Sequence, residues 1–156
     1  MKAKLVYENL NKFTRGQDPK TAMNIGRKAE IIKWFDDLDV STKLVYEIDD
    51  KLNIIVKNDL YLRRTNVCKI PDNLIIEGYL DLSYTNITEI PDNLIVNGNL
   101  WLCYTKITDL PDHLKIGGSV NLNYANITKL PHNLTVNGYL DISHTNITEL
   151  PNNPYS

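Results

Sequence analysis

From Ile54 onward the chain repeats every 20 residues, five times, with no insertion or deletion between copies. The copies begin at Ile54, Leu74, Leu94, Leu114 and Leu134. Copy two reads LIIEGYLDLSYTNITEIPDN and copy five reads LTVNGYLDISHTNITELPNN. A fixed period of this length means a solenoid: one unit cannot bury its apolar face alone, so it stacks on its neighbours. This restricts the fold more than any other feature of the sequence.

With the repeat numbered 1 to 20, positions 1, 3, 7, 9, 14 and 17 are apolar almost throughout. In copy two they are Leu74, Ile76, Leu80, Leu82, Ile87 and Ile90. The pairs 1/3 and 7/9 have period two, which predicts strands with alternate residues pointing inward. Position 5 is Gly78, Gly98, Gly118 and Gly138, with Asn58 in the first copy. Gly and Asn tolerate positive φ, so a tight bend is expected there. Position 18 is always proline (Pro71, Pro91, Pro111, Pro131, Pro151), which suits a turn and not a central strand. Each copy is then one coil. A parallel strand near positions 6–10 is followed by a turn and a proline-containing return to a second extended stretch. Coils should stack about 4.8 Å apart.

The pattern Leu140-Asp-Ile142-Ser-His-Thr145-Asn-Ile147-Thr-Glu-Leu150-Pro151 resembles the leucine-rich repeat. In that family the sixth residue of the motif is usually Asn, whose side chain bonds to backbone inside the coil. Here it is Thr65, Thr85, Thr105 and Thr145, with Ala125 in the fourth copy, so a hydroxyl-based ladder is expected. Position 4 is polar or glycine where the family would place its first Leu. The resemblance covers about two thirds of the chain. It implies a mainly β fold: a right-handed-type solenoid of five coils over residues 54–156, with residues 1–53 as a small α/β N-terminal cap.

Within residues 1–53, Asp18-Pro19 is a helix start, with a capping acid before a first-turn proline. Ala22, Ile25, Ala29, Ile32, Phe35 and Leu38 then follow at helical spacing, with Gly26 as a candidate break. Two strands are expected around Asp49-Asp50-Lys51. A helix bearing Trp34 and Phe35 suits a cap, since a first coil would otherwise expose its core. Residues 1–17 offer the alternative of a recognition arm. The stretch VYENLNKFTRGQDPKTAMNIGRKAEI also resembles the N-terminal segment of uncharacterised tailed-bacteriophage proteins. That implies a phage or prophage origin and the cytoplasm of a bacterial host cell as the location.

The net charge of −2 implies no general polyanion binding. Residues 54–156 carry 7 basic and 10 acidic residues, and the basic ones cluster only in the first coil, so nucleic acid is not the expected partner. No apolar run is long enough to cross a membrane, and the N-terminus has no signal-peptide core. Cys68 and Cys103 occupy different repeat positions and read as free thiols. There is no zinc-ligand spacing, phosphate loop or dinucleotide fingerprint. His113 and His132 replace turn residues, and Asp81 and Asp141 lie three coils apart. No catalytic residue, metal or cofactor is therefore assigned, and the chain is read as a non-enzyme.

Recognition remains. Positions 6, 8, 10 and 11 flank the inward strand residues and should point outward. Down the stack, position 8 gives Tyr61, Asp81, Trp101, Asn121 and Asp141. Position 11 gives Arg64, Tyr84, Tyr104, Tyr124 and His144. Position 6 adds Tyr79 and Tyr139, and position 10 adds Arg63. Tyr and Trp are enriched where proteins meet. The plainer reading of Tyr84, Tyr104 and Tyr124 is a stack of repeated rings that covers the turn. Trp101 is unrepeated at its position and reads as a contact residue, with Tyr79, Asp81, Asp141, Arg63 and Arg64 as companions. The expected function is non-catalytic binding of another protein through a concave strand face, specifically inhibition of a host defence or regulatory protein. The alternative is an assembly protein that forms a homodimer through an uncapped C-terminal edge.

Overall fold

The computed structural model describes residues 16, 18–38, 40 and 44–150. The arm expected over residues 1–17 therefore falls almost wholly outside the described residues, as do Pro151 and the rest of 151–156. The chain divides into two compact units, one of residues 1–39 with 48–53 and one of residues 40–47 with 54–156.

The first unit holds the helix α1 (Pro19–Asp36). Asp18 is its N-cap: one carboxylate oxygen accepts the Lys20 and Thr21 backbone N–H groups at 3.0 and 3.1 Å. These are donors that a helix start would otherwise leave unpaired. Gly26 does not break the helix, which runs through it. Ala29 and Phe35 are buried, and the Trp34 and Phe35 rings meet edge to face at 5.0 Å. A tight turn follows at Asp49, whose carboxylate accepts the Lys51 and Asn53 N–H groups at 2.8 and 2.9 Å.

The second unit is a β-solenoid, mainly β as the repeat implies. Four complete 20-residue turns run from Ile54 to Asn133, and the described part of a fifth follows. Strands β1–β11 are numbered in chain order and form two sheets. The first holds β1 (Tyr46–Ile48), β2 (Ile54–Val56), β4 (Leu74–Ile76), β6 (Ile95–Val96), β8 (Lys115–Ile116) and β10 (Thr135–Val136). The second holds β3 (Leu60–Tyr61), β5 (Leu80–Asp81), β7 (Leu100–Trp101), β9 (Val120–Asn121) and β11 (Leu140–Asp141). Neighbouring coils pair in parallel with a register of one repeat, for example Leu80 with Leu100 and Asp81 with Trp101. The second sheet's strands span only positions 7 and 8, shorter than the 6–10 expected, because the chain turns at positions 10–12. Positions 14–17 form no strand.

The six apolar columns are the core. Leu74, Ile76, Leu80, Leu82 and Ile87 are fully buried, and Ile90 nearly so. Full burial of one such side chain stabilises by about 1.5–3 kcal/mol. The fifth coil differs: Leu140 is 36% and Leu150 65% exposed, where their equivalents in the coils above are buried.

One local expectation is corrected in part. The chain bends at position 5, but the glycines there do not hold positive φ; among the described residues the one glycine that does is Gly16. They are small because the coils approach closely. A Cβ on Gly98 would stand 2.6 Å from the Gly78 carbonyl oxygen, and one on Gly118 would stand 2.9 Å from that of Gly98. Positive φ falls instead at position 11: Arg64 60°, Tyr84 59°, Tyr104 55°, Tyr124 56° and His144 56°. The threonine hydroxyls form the expected column, bonding to backbone inside the coil. Each donates to the position-9 carbonyl of its own coil, as Thr85 does to Leu82 at 2.6 Å and Thr105 to Leu102 at 2.7 Å. Ala125 keeps the turn through its N–H, which donates to the Leu122 carbonyl at 2.8 Å.

Candidate protein-binding face

The second sheet and the turn after it present a grid of side chains, four positions wide and five coils deep. Position 11 forms its outer column. Left-handed backbone there throws each side chain off the strand and along the stack. Tyr84 and Tyr104 stack at 4.5 Å, Tyr104 and Tyr124 at 4.6 Å, and Tyr124 and His144 at 4.3 Å, all within 15° of parallel. The Arg63 and Arg64 guanidinium carbons close the other end, 4.7 and 5.2 Å from the Tyr84 ring centroid. The ring faces are consumed by one another, which is the structural stack expected for these tyrosines, and only their edges meet solvent. Desolvation in the stack holds the Tyr104 hydroxyl above its ordinary pKa.

Position 8 is more varied. Tyr61 and Trp101 are exposed, whereas Asp81, in register between them, is buried to 4%. This corrects the expectation that Asp81 is an outward companion: its Oδ1 accepts the Ser83 N–H at 2.9 Å. Asn121 and Asp141 accept the Asn123 and Ser143 N–H groups in the same way, both at 2.9 Å. The position-8 acid or amide thus shapes the turn. The Ser143 hydroxyl also donates to Asp141 and, as the largest cause, holds that carboxyl below its usual range.

Position 6 contributes Tyr79 and Tyr139, both exposed. The residue above each fixes its backbone: Asp59 Oδ1 accepts the Tyr79 N–H at 2.8 Å, and Ser119 Oγ accepts the Tyr139 N–H at 3.0 Å. Asp59 was not singled out from the sequence. Its other oxygen accepts the Tyr61 hydroxyl proton at 2.9 Å, which raises the Tyr61 pKa. Its signal was available, as the one acid in the position-6 column.

At position 10, Cys103 is half-buried and a free thiol, with its pKa raised by burial. Cys68 is exposed and free. The structure therefore gathers Tyr61, Tyr79 and Trp101 on the upper three coils, keeps Asp141 and Tyr139 on the fifth, and turns Arg63 and Arg64 onto the ladder. The other sheet's outer face carries a shallow groove of about 510 Å³ over coils three to five, floored in part by Ile95 and Gly117, which sequence reasoning did not single out.

Among the described residues, no group of three or more His, Cys, Asp or Glu is placed to hold a metal ion, and no helix is long and apolar enough to cross a membrane. The fold and this face define a β-solenoid with an aromatic sheet surface. No protein family, curated protein or solved structure matches the chain.

Proposed function

We propose that the chain is a non-catalytic protein-binding module that engages its partner through the outer face of the second sheet. The observation that carries this reading is the cluster of exposed aromatics there, led by the unrepeated Trp101 at 39% exposure on a central strand. Large rigid side chains held by a sheet supply contact area at low entropic cost. The leucine-rich-repeat type belongs to the same proposal. It is supported by the LxLxxTxIxxLP pattern and by threonine hydroxyls that bond back into their own coil. The phage-like N-terminal stretch supports a phage-encoded inhibitor of a host defence or regulatory protein, acting in the bacterial cytoplasm. The test is affinity capture from bacterial lysate with the wild-type chain and Trp101→Ala. A partner retained by the first and lost by the second is expected; identical recovery by both removes Trp101 from the site.

A second reading has its own observation. The fifth coil exposes Leu140 and Leu150, and β10 and β11 are edge strands. Exposed edges invite pairing with another chain, so self-association through this end is the alternative. Light scattering across a concentration series tests it: a stable dimer supports it, and a monomer at high concentration opposes it.

A further inference from the structure

The grid contains one carboxylate with an unusual setting. Asp81 is nine-tenths buried, and none of the ion pairs among the described residues includes it. Buried charges in proteins are ordinarily paired, because the cost of removing them from water must be offset. The two cations of the grid, Arg63 and Arg64, are turned onto the Tyr84 ring instead. Next to Asp81 in the same turn, the fully buried Ser83 hydroxyl has no oxygen or nitrogen partner among the described residues and bonds only weakly, to the Cys103 thiol. In coil five the equivalent hydroxyl, Ser143 Oγ, donates to the Asp141 carboxylate at 2.5 Å, a bond that Asp81 does not receive from Ser83.

Three exposed rings surround this spot. Tyr61 and Trp101 are the register neighbours of Asp81, one coil to either side. The Tyr79 ring leans over coil three, where its Cδ1 would stand 2.5 Å from a Cβ on Gly98. Gly98 thereby admits the tyrosine ring. Asp59 adds a second carboxylate at the rim, held against the Tyr61 hydroxyl. Aromatic rings around a carboxylate attract a cation through both ring quadrupole and charge. The surplus of acidic over basic residues across 54–156, 10 against 7, favours a basic partner.

We propose that Tyr61, Tyr79 and Trp101, ranged about the buried Asp81 carboxylate with Asp59 at the rim, form an anchor site for the ammonium or guanidinium head of a Lys or Arg side chain presented by the partner protein. This rests on the protein-binding reading and names the chemistry of its partner. The cation pairs with Asp81 and lies against the rings.

The site is tested on the full chain with Nα-acetyl-lysine methylamide and Nα-acetyl-arginine methylamide as probes. The norleucine analogue serves as the neutral control. Amide and indole N–H signals are followed by NMR, and the Trp101 indole is assigned by its loss in Trp101→Asn. Coil four carries Asn121 at this position with the same turn, so Asp81→Asn should keep the fold while removing the charge. A cationic probe is expected to shift the Trp101 indole and the Ser83 amide, with norleucine inert. Asp81→Asn should weaken the response at least about fivefold, and Asp141→Asn should leave it intact. Absence of a shift, an equal shift with norleucine, or indifference to Asp81→Asn overturns the anchor site. None of those results touches the protein-binding reading, which fails separately if partner capture is indifferent to Trp101.

Discussion

Tyr84 holds φ at 59°, and its ring lies between Tyr104 at 4.5 Å and the Arg63 guanidinium at 4.7 Å. The left-handed conformation costs a residue with a Cβ about 1–2 kcal/mol. The ring pair returns about 0.5–1.5 kcal/mol, and the cation over an exposed ring returns about 0.5–1 kcal/mol. Tyr84→Ala forfeits both contacts and keeps the strain, so it should lose about 1–2.5 kcal/mol. Tyr84→Gly forfeits the same contacts but is freed of the strain, less about 0.5–1 kcal/mol for the looser unfolded chain. Glycine should therefore be roughly 1 kcal/mol more stable than alanine here, the reverse of their order in an ordinary helix or strand. Urea unfolding of the two variants reads this directly. With a slope of about 1–3 kcal/mol per molar, the glycine midpoint should lie about 0.3–1 M higher. An alanine midpoint equal to or above that of glycine would refute the argument that the ladder is built on strained backbone.

Three further predictions concern stability. Gly98→Ala drives a Cβ to 2.6 Å from the Gly78 carbonyl oxygen and should cost about 1–3 kcal/mol or more, whereas Gly26→Ala, inside α1 and with open space beyond the local helix backbone, should gain about 0.5–1 kcal/mol; thermal melts of both variants check the contrast. Leu102→Ala empties a fully buried core position and should cost about 2–5 kcal/mol, and Ile142→Ala at the half-buried equivalent in coil five about 1 kcal/mol, both measured by chemical denaturation. The Asp141 carboxyl, held low by Ser143, stabilises the fold fully above its unfolded pKa of about 3.9 and loses that contribution as pH falls through its lower folded pKa. Asp141→Asn should accordingly flatten the decline in stability below that value, seen in melts run across the acid range.

The core was legible from the repeat because burial in a stacked coil is decided by period alone. Every coil-two residue assigned inward, from Leu74 to Ile90, is buried. The α1 start was legible for a local reason, the Asp18 side chain capping its own next turn. What escaped depends on neighbours twenty residues away. Gly98 looks like a bend residue in one copy, and only the carbonyl of Gly78 shows why no side chain fits. Tyr84 gives no hint of positive φ, since a ring is among the least suited groups for it, and the stacking that repays it runs through copies above and below. Asp81 was placed outward with its column. It has a large ring on each side in register, Tyr61 and Trp101, where Asn121 has Trp101 on one side only and Asp141 has neither. Trp101 was legible as a candidate because it breaks the pattern, and Asp59 was missed because its partners are the Tyr61 hydroxyl and the Tyr79 backbone rather than its own repeat.

In the proposed function the second sheet's outer face, not the fifth-coil end, receives the partner. A captured partner should be titrated calorimetrically against the wild-type chain, Trp101→Asn on the face and Leu140→Ser at the end. Trp101→Asn is expected to weaken binding at least about tenfold, a loss of about 1.4 kcal/mol, while Leu140→Ser stays near wild type. Loss of affinity with Leu140→Ser and none with Trp101→Asn would contradict it.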